Sequence, residues 1–192
     1  ILDMFFPGSE GGSAAAALLF GDANPCGKLT MSFPRAVGQC PIYYNHPNTG
    51  RPSWSTQNTY HAYQSNYIDC ATLPLYSFGY GLSYSRFVYE SMHLSAKQLS
   101  EGSSLLLTVK LRNAGNTAGK ETVQVYMRDL CASVIRPVQQ LIAFKKVSLS
   151  AGEEQDVVFS LTDDMFRFYN MEGRLIWELG KTRIMVGCAD HF

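Results

Sequence analysis

The stretch from Phe6 to Leu29, F-P-G-S-E-G-G-S-A-A-A-A-L-L-F-G-D-A-N-P-C-G-K-L, restricts the fold more than any other part of the chain. It sets a glycine-rich turn directly ahead of a run of alanine and leucine, which favours a helix from Ser13 to Phe20. Ser9 is expected to cap that helix, with Glu10 in its first turn, where a carboxylate complements the helix dipole. Gly21 is expected to end it. Gly11 and Gly12 are poor helix formers, and a pair of them at a helix start points to a close approach to the backbone. Ile1 to Phe6 is short and apolar and reads as the end of a buried strand. Residues 1–35 thus form one piece of an α/β sandwich domain, not a whole one. A lone strand and helix cannot bury both faces, so this piece calls for more protein, upstream or from a partner.

Residues 36–90 have another character. Proline, glycine, asparagine and tyrosine are frequent, and periodicity is weak. The aromatics Tyr43, Tyr44, Trp54, Tyr60, Tyr63, Tyr67, Tyr76, Phe78, Tyr80 and Tyr84 are not the composition of a disordered segment. We read 36–90 as a long ordered connector wrapped over neighbouring surface, where substrate contacts can lie.

Residues 91–192 read as an immunoglobulin-like β-sandwich. Leu105, Leu107, Val109 and Leu111 alternate with Leu106, Thr108, Lys110 and Arg112, the period of a half-buried strand. Val123, Val125 and Met127 alternate likewise with Gln124, Tyr126 and Arg128. Met92–Leu99, Leu141–Leu149, the segment carrying Val157, Phe159 and Leu161, Arg174–Glu178 and Thr182–Cys188 bring the expected number to about seven strands. The fold class expected is therefore an α/β fragment followed by an all-β domain.

Sixteen basic residues balance sixteen acidic ones, so no net field draws nucleic acid or an anionic membrane, and neither is an expected partner. No apolar run is long enough to span a bilayer. No signal peptide is visible after Ile1; a fragment would show none. The five cysteines, Cys26, Cys40, Cys70, Cys131 and Cys188, are odd in number and lack C-x-x-C spacing. That argues against zinc or a redox dithiol and favours a reducing, cytoplasmic setting. The four histidines lie far apart without ligand spacing, so no metal site is expected.

P-G-x-E-G-G, a small-residue helix and L-F-G-D-x-N-P-x-G-K-L together resemble the late part of the second domain of glycoside hydrolase family 3, the β-glucosidase and β-xylosidase family. The resemblance continues through Phe33-Pro34-Arg35, Tyr43-Tyr44-Asn45-His46, Thr49-Gly50-Arg51-Pro52, Pro74 to Tyr84, Arg136-Pro137 and Gly173. It implies a retaining, exo-acting glycosidase releasing terminal β-linked glucose or xylose without a cofactor. It implies a fibronectin type III-like last domain, and upstream barrel and α/β domains as partners of this chain. It also implies a nucleophilic aspartate in a serine-aspartate-aromatic motif and a glutamate acid/base. Neither has a counterpart here, so no catalytic residue is assigned to this chain, although retention needs two carboxyl groups about 5 Å apart. The alternative is a non-catalytic carbohydrate-binding or interaction module.

Four residues are candidates for lying near substrate. Glu10 can bond a sugar hydroxyl or orient a loop; its structural alternative is a carboxylate that caps the helix. His46 and Arg51 flank a glycine bend and can bind hydroxyls; the commoner role of such an arginine is to pin a loop. Trp54 can stack on a sugar ring or pack on a sheet. Asp22 and Asn24 are expected to make a local turn, with Lys28 paired to Asp22. Phe78-Gly79-Tyr80-Gly81 reads as structural, its glycines turning the chain and its aromatics burying the turn.

Overall fold

The computed structural model describes residues 1–53 and 62–189; Trp54 and His61 lie outside them. Helix α1 spans Gly11–Phe20. Its N-cap is Glu10 rather than Ser9, because the Gly8–Gly11 turn (Gly11 N to Gly8 O, 2.9 Å) brings the chain into helical register at Gly11. Gly21, at φ 84°, ends the helix with its N–H on Leu18 O, the left-handed cap expected of glycine. Residues 1–6 form no strand, and five of the six are exposed; among the described residues no sheet lies beside them to pair with.

The second half is a sandwich of two three-stranded antiparallel sheets. One has the order β1-β2-β5, with β1 Phe87–Leu94, β2 Ser104–Asn113 and β5 Glu154–Thr162. The other has the order β4-β3-β8, with β3 Gly119–Asp129, β4 Gln140–Leu149 and β8 Thr182–Val186. β6 Phe168–Tyr169 and β7 Leu175–Ile176 pair only with each other. The segment Arg174–Glu178 is therefore a hairpin arm and not a sandwich strand. The side chain of Asn170 closes that hairpin by accepting from Arg174 N at 2.9 Å. The first strand also starts earlier than Met92, because Phe87 pairs with Asn113 at the far end of β2.

Alternation sends Leu107, Val109 and Leu111 of β2, Val123 and Val125 of β3, and Val157, Phe159 and Leu161 of β5 inward, where with Leu149 they form the core. β3 departs from simple alternation. Gln124 and Tyr126 face away from that core and are nonetheless buried, Tyr126 fully. The connector covers them: Phe78 stacks on Tyr44 (4.2 Å between centroids), and both meet the Tyr126 ring edge-on. β3 is thus buried on both faces, and residues far earlier in the chain form its second cover.

Candidate functional site

The return segment after α1 and the end of the connector zip together. Leu29 N bonds Tyr80 O (2.8 Å), Gly79 N bonds Leu29 O (2.7 Å) and Phe33 N bonds Tyr76 O (2.7 Å). Gly79 sits at φ 80°, and a Cβ there would lie 2.1 Å from Gln124 Oε1, so only glycine fits the turn against β3. In turn Gln124 Nε2 donates to Gly79 O at 3.0 Å and Tyr126 Oη donates to Gln124 Oε1 at 2.8 Å. The buried amide is satisfied on both sides, as its desolvation requires.

Two side chains ahead of this zip tie it to the sandwich. Asn24 Nδ2 donates to Ser85 Oγ and to Ala118 O, both at 2.9 Å, while its Oδ1 accepts from Ser83 Oγ (2.8 Å) and Tyr84 N (2.9 Å). It is a long-range tether rather than a member of a local turn. Lys28 does not pair with Asp22. Its ammonium lies 3.1 Å from Glu121 Oε2 and donates to Gly81 O at 2.9 Å. Glu121 is buried, and its Oε1 accepts from Tyr89 Oη at 3.0 Å. Burial, and then the adjacent Glu121 carboxylate, push the Tyr89 phenol well above the usual tyrosine range, so it stays a neutral donor. Sequence reasoning missed this Lys28–Glu121–Tyr89 network. Its one signal was a glutamate at Glu121, in line with the inward positions Val123 and Val125.

The substrate-proximal candidates are held differently. Glu10 stands exposed at the start of α1, and its carboxylate makes no capping bond and has no hydrogen-bond or ion-pair partner among the described residues. The capping alternative for Glu10 is thereby removed. Gly11 is required by Pro7 itself, whose ring would stand 2.5 Å from an added Cβ, whereas Gly12 faces open space. His46 is anchored through its backbone, with Val138 N donating to His46 O at 2.9 Å beside the Pro47–Pro137 bridge. Its Nδ1 lies 3.0 Å from Pro47 O. Arg51 is exposed, and its carbonyl accepts from Ser65 N at 2.8 Å. Trp54 lies outside the described residues. Among the described residues no hydrogen bond or ion pair joins Glu10 to His46 or Arg51.

Among the described residues no cluster of three or more histidine, cysteine or acidic side chains could hold a metal ion, and no helix is long and apolar enough to cross a membrane. All five cysteines are free.

The sequence model described as "Glycosyl hydrolase family 3 C-terminal domain" matches residues 1–84, and that described as "Fibronectin type III-like domain" matches residues 121–189. The chain is 42% identical to a periplasmic β-glucosidase of Salmonella typhimurium over 97% of its own length and 24% of the relative's. It is 35% identical to a putative β-xylosidase of Formosa agariphila, covering 99% of this chain and 24% of that one. Among solved structures it superposes on a β-glucosidase from Listeria innocua in complex with gluconolactone with a TM-score of 0.91 at 46% identity, covering 98% of this chain and 26% of that one. The chain thus spans about a quarter of the length of the proteins it matches. With the family's C-terminal domain followed by its fibronectin-like domain, and likeness of this extent, the chain belongs to glycoside hydrolase family 3.

Proposed function

We propose that this chain is the C-terminal portion of a retaining, exo-acting glycoside hydrolase that releases terminal β-linked glucose or xylose. The observation that carries the reading is the likeness, along nearly the whole chain, to much longer proteins named β-glucosidase and β-xylosidase. In this reading residues 1–35 belong to an α/β domain, 36–90 are the connector and 91–192 the fibronectin-like domain. The partners are the upstream barrel and α/β domains of the same protein. The nucleophile and the acid/base come from outside this chain, which braces the elements that carry them. The two-sided burial of β3 supports that role, since the connector is clamped against the sandwich by aromatic stacking and by the Gln124 amide.

Glu10, His46, Arg51 and Trp54 remain the residues proposed to lie near substrate. Glu10 has the best support, as a carboxylate with no hydrogen-bond or ion-pair partner among the described residues, at the end of a glycine-rich loop. The five free cysteines support a cytoplasmic location; "periplasmic" stands in the name of the Salmonella relative, and fractionation of the source cells separates the two. The test of function is hydrolysis of an aryl β-glucoside and an aryl β-xyloside by the complete protein, with the configuration of the first-formed sugar read by NMR. Turnover with retention is expected on at least one of the two. No turnover on either, or inversion, overturns the reading.

A further inference from the structure

One end of the sandwich is open. The last residues of β1, β3 and β5 and the first of β2 and β8 border a cavity of about 550 Å³, within the range typical of small-ligand sites. Both sheets contribute, so the hollow is the mouth of the core rather than a groove on one face. Its floor reaches the core residues Leu161 and Met127. Trp177, half-buried, lines it from the segment after β7, and the largely exposed Leu179 stands beside it. Leu94, Leu105, Phe166 and Ile184 extend this apolar lining, and charged groups, Lys97, Glu101, Asp129 and Glu178, stand among them. Asp129 and Glu178 are fixed by the same short loop: Asp129 Oδ1 accepts from Cys131 N at 3.2 Å, and Glu178 Oε2 accepts from Ser133 N at 2.9 Å. Each has accepting capacity to spare.

We propose that this cavity is a saccharide subsite of the fibronectin-like domain, separate from any catalytic site, and that it takes one or two β-linked hexose rings. A sugar ring has an apolar C–H face and a rim of hydroxyls. The indole of Trp177 with its leucine neighbours suits the first, and fixed carboxylates with an ammonium suit the second. A purely aliphatic ligand would desolvate the charged groups without bonding them, and a phosphate-bearing one would meet the three carboxylates of Glu101, Asp129 and Glu178. The position also suits a substrate tether. β3 runs 11 residues from Gly119, where Asn24 anchors the N-terminal segment, to Asp129 at the cavity. At about 3.3 Å per residue that is roughly 33 Å. A polymeric substrate held there can present its end elsewhere on the protein. The class of sugar rests on the proposed glycosidase function; the existence of the site does not.

The test is a titration of the 192-residue chain with cellobiose, followed by saturation-transfer NMR and by the indole resonance of Trp177. Millimolar binding that weakens by about tenfold or more in Trp177→Ala is expected. Leu179→Arg places a long cation at the cavity mouth from an exposed position, leaves the core intact, and is expected to weaken binding equally. It keeps the test decisive where Trp177→Ala fails to fold. Absence of saturation transfer, or binding unchanged in Leu179→Arg, overturns the proposal. A complete protein that hydrolyses no glycoside would instead overturn the proposed function and leave a positive titration standing.

Discussion

The two sheets of the sandwich turn opposite kinds of surface outward. On the β1-β2-β5 sheet, Lys110 and Arg112 of β2 project into solvent and pair with Glu90 and Glu154. These groups are wet, and exposed pairs of this sort contribute little to stability. Hydrogen bonding to Lys110 and its charge draw the Glu154 carboxyl below its ordinary range, yet solvent screens the pair. On the β4-β3-β8 sheet the outward side chains of β3 include Gln124 and Tyr126, both buried beneath the connector. One sheet therefore ends the molecule and the other bolts it together. Among the described residues, the chain's first segment reaches the sandwich by way of Asn24, Lys28, Cys26 beside Lys146 and the strand-like zip to Tyr76–Tyr80. Helix α1 stands beyond both, with none of its residues buried.

The largest effect should come from Tyr126→Ala. It removes a fully buried ring, its edge contacts to Tyr44 and Phe78, and the donor to Gln124. A loss of about 3–5 kcal/mol is expected in urea unfolding. A loss under about 1 kcal/mol would mean that the connector is not held to β3 as described.

Lys28→Met is expected to cost about 2–3 kcal/mol in the same measurement, because it leaves the Glu121 carboxylate buried with Tyr89 as its only described side-chain partner. The double variant Lys28→Met/Glu121→Leu should recover much of that loss. If it does not, the pair is incidental and the junction is held by Asn24 and the backbone zip.

Glu10→Gln probes the region outside both sheets. In the complete protein it should lower activity on an aryl β-glucoside by one to two orders of magnitude, roughly 1.4–3 kcal/mol at about 1.4 kcal/mol per tenfold. The melting temperature should stay unchanged, since the carboxylate caps nothing. A drop in melting temperature with full activity in the folded fraction would return Glu10 to a structural role.

The smallest effect belongs to the solvated sheet. Lys110→Ala should move stability by less than about 0.5 kcal/mol despite its 2.8 Å contact to Glu154. A larger loss in the complete protein than in this chain would reveal that the face is covered there.

Local regularities were legible in the sequence and distant covers were not. The leucines and valines of β2 and β5 announce their strands because period-two alternation is a local property. Gly21 announces the helix end because the left-handed cap is local too. The same alternation on β3 predicts an outward Tyr126, which is correct in direction and wrong in burial. Nothing within the strand says that Tyr44 and Phe78 will fold back over it. Lys28 was misassigned to Asp22 for a related reason: the nearer acid is the default partner until the tertiary fold brings Glu121 closer. Of the proposed site, Glu10 stood out through its flanking glycines, while Asn24, which does more to place that segment, resembled any turn asparagine.

In the function proposed above, these 192 residues brace a hydrolase whose bond-breaking groups lie outside them. The direct measurement is hydrolysis of an aryl β-glucoside by this chain alone, purified free of contaminating enzyme and shown to be folded by its circular dichroism. No turnover above the buffer rate is expected, because the two carboxyl groups that retention requires are proposed to come from outside this chain. Turnover that disappears in Glu10→Gln would contradict the account and make Glu10 a catalytic group.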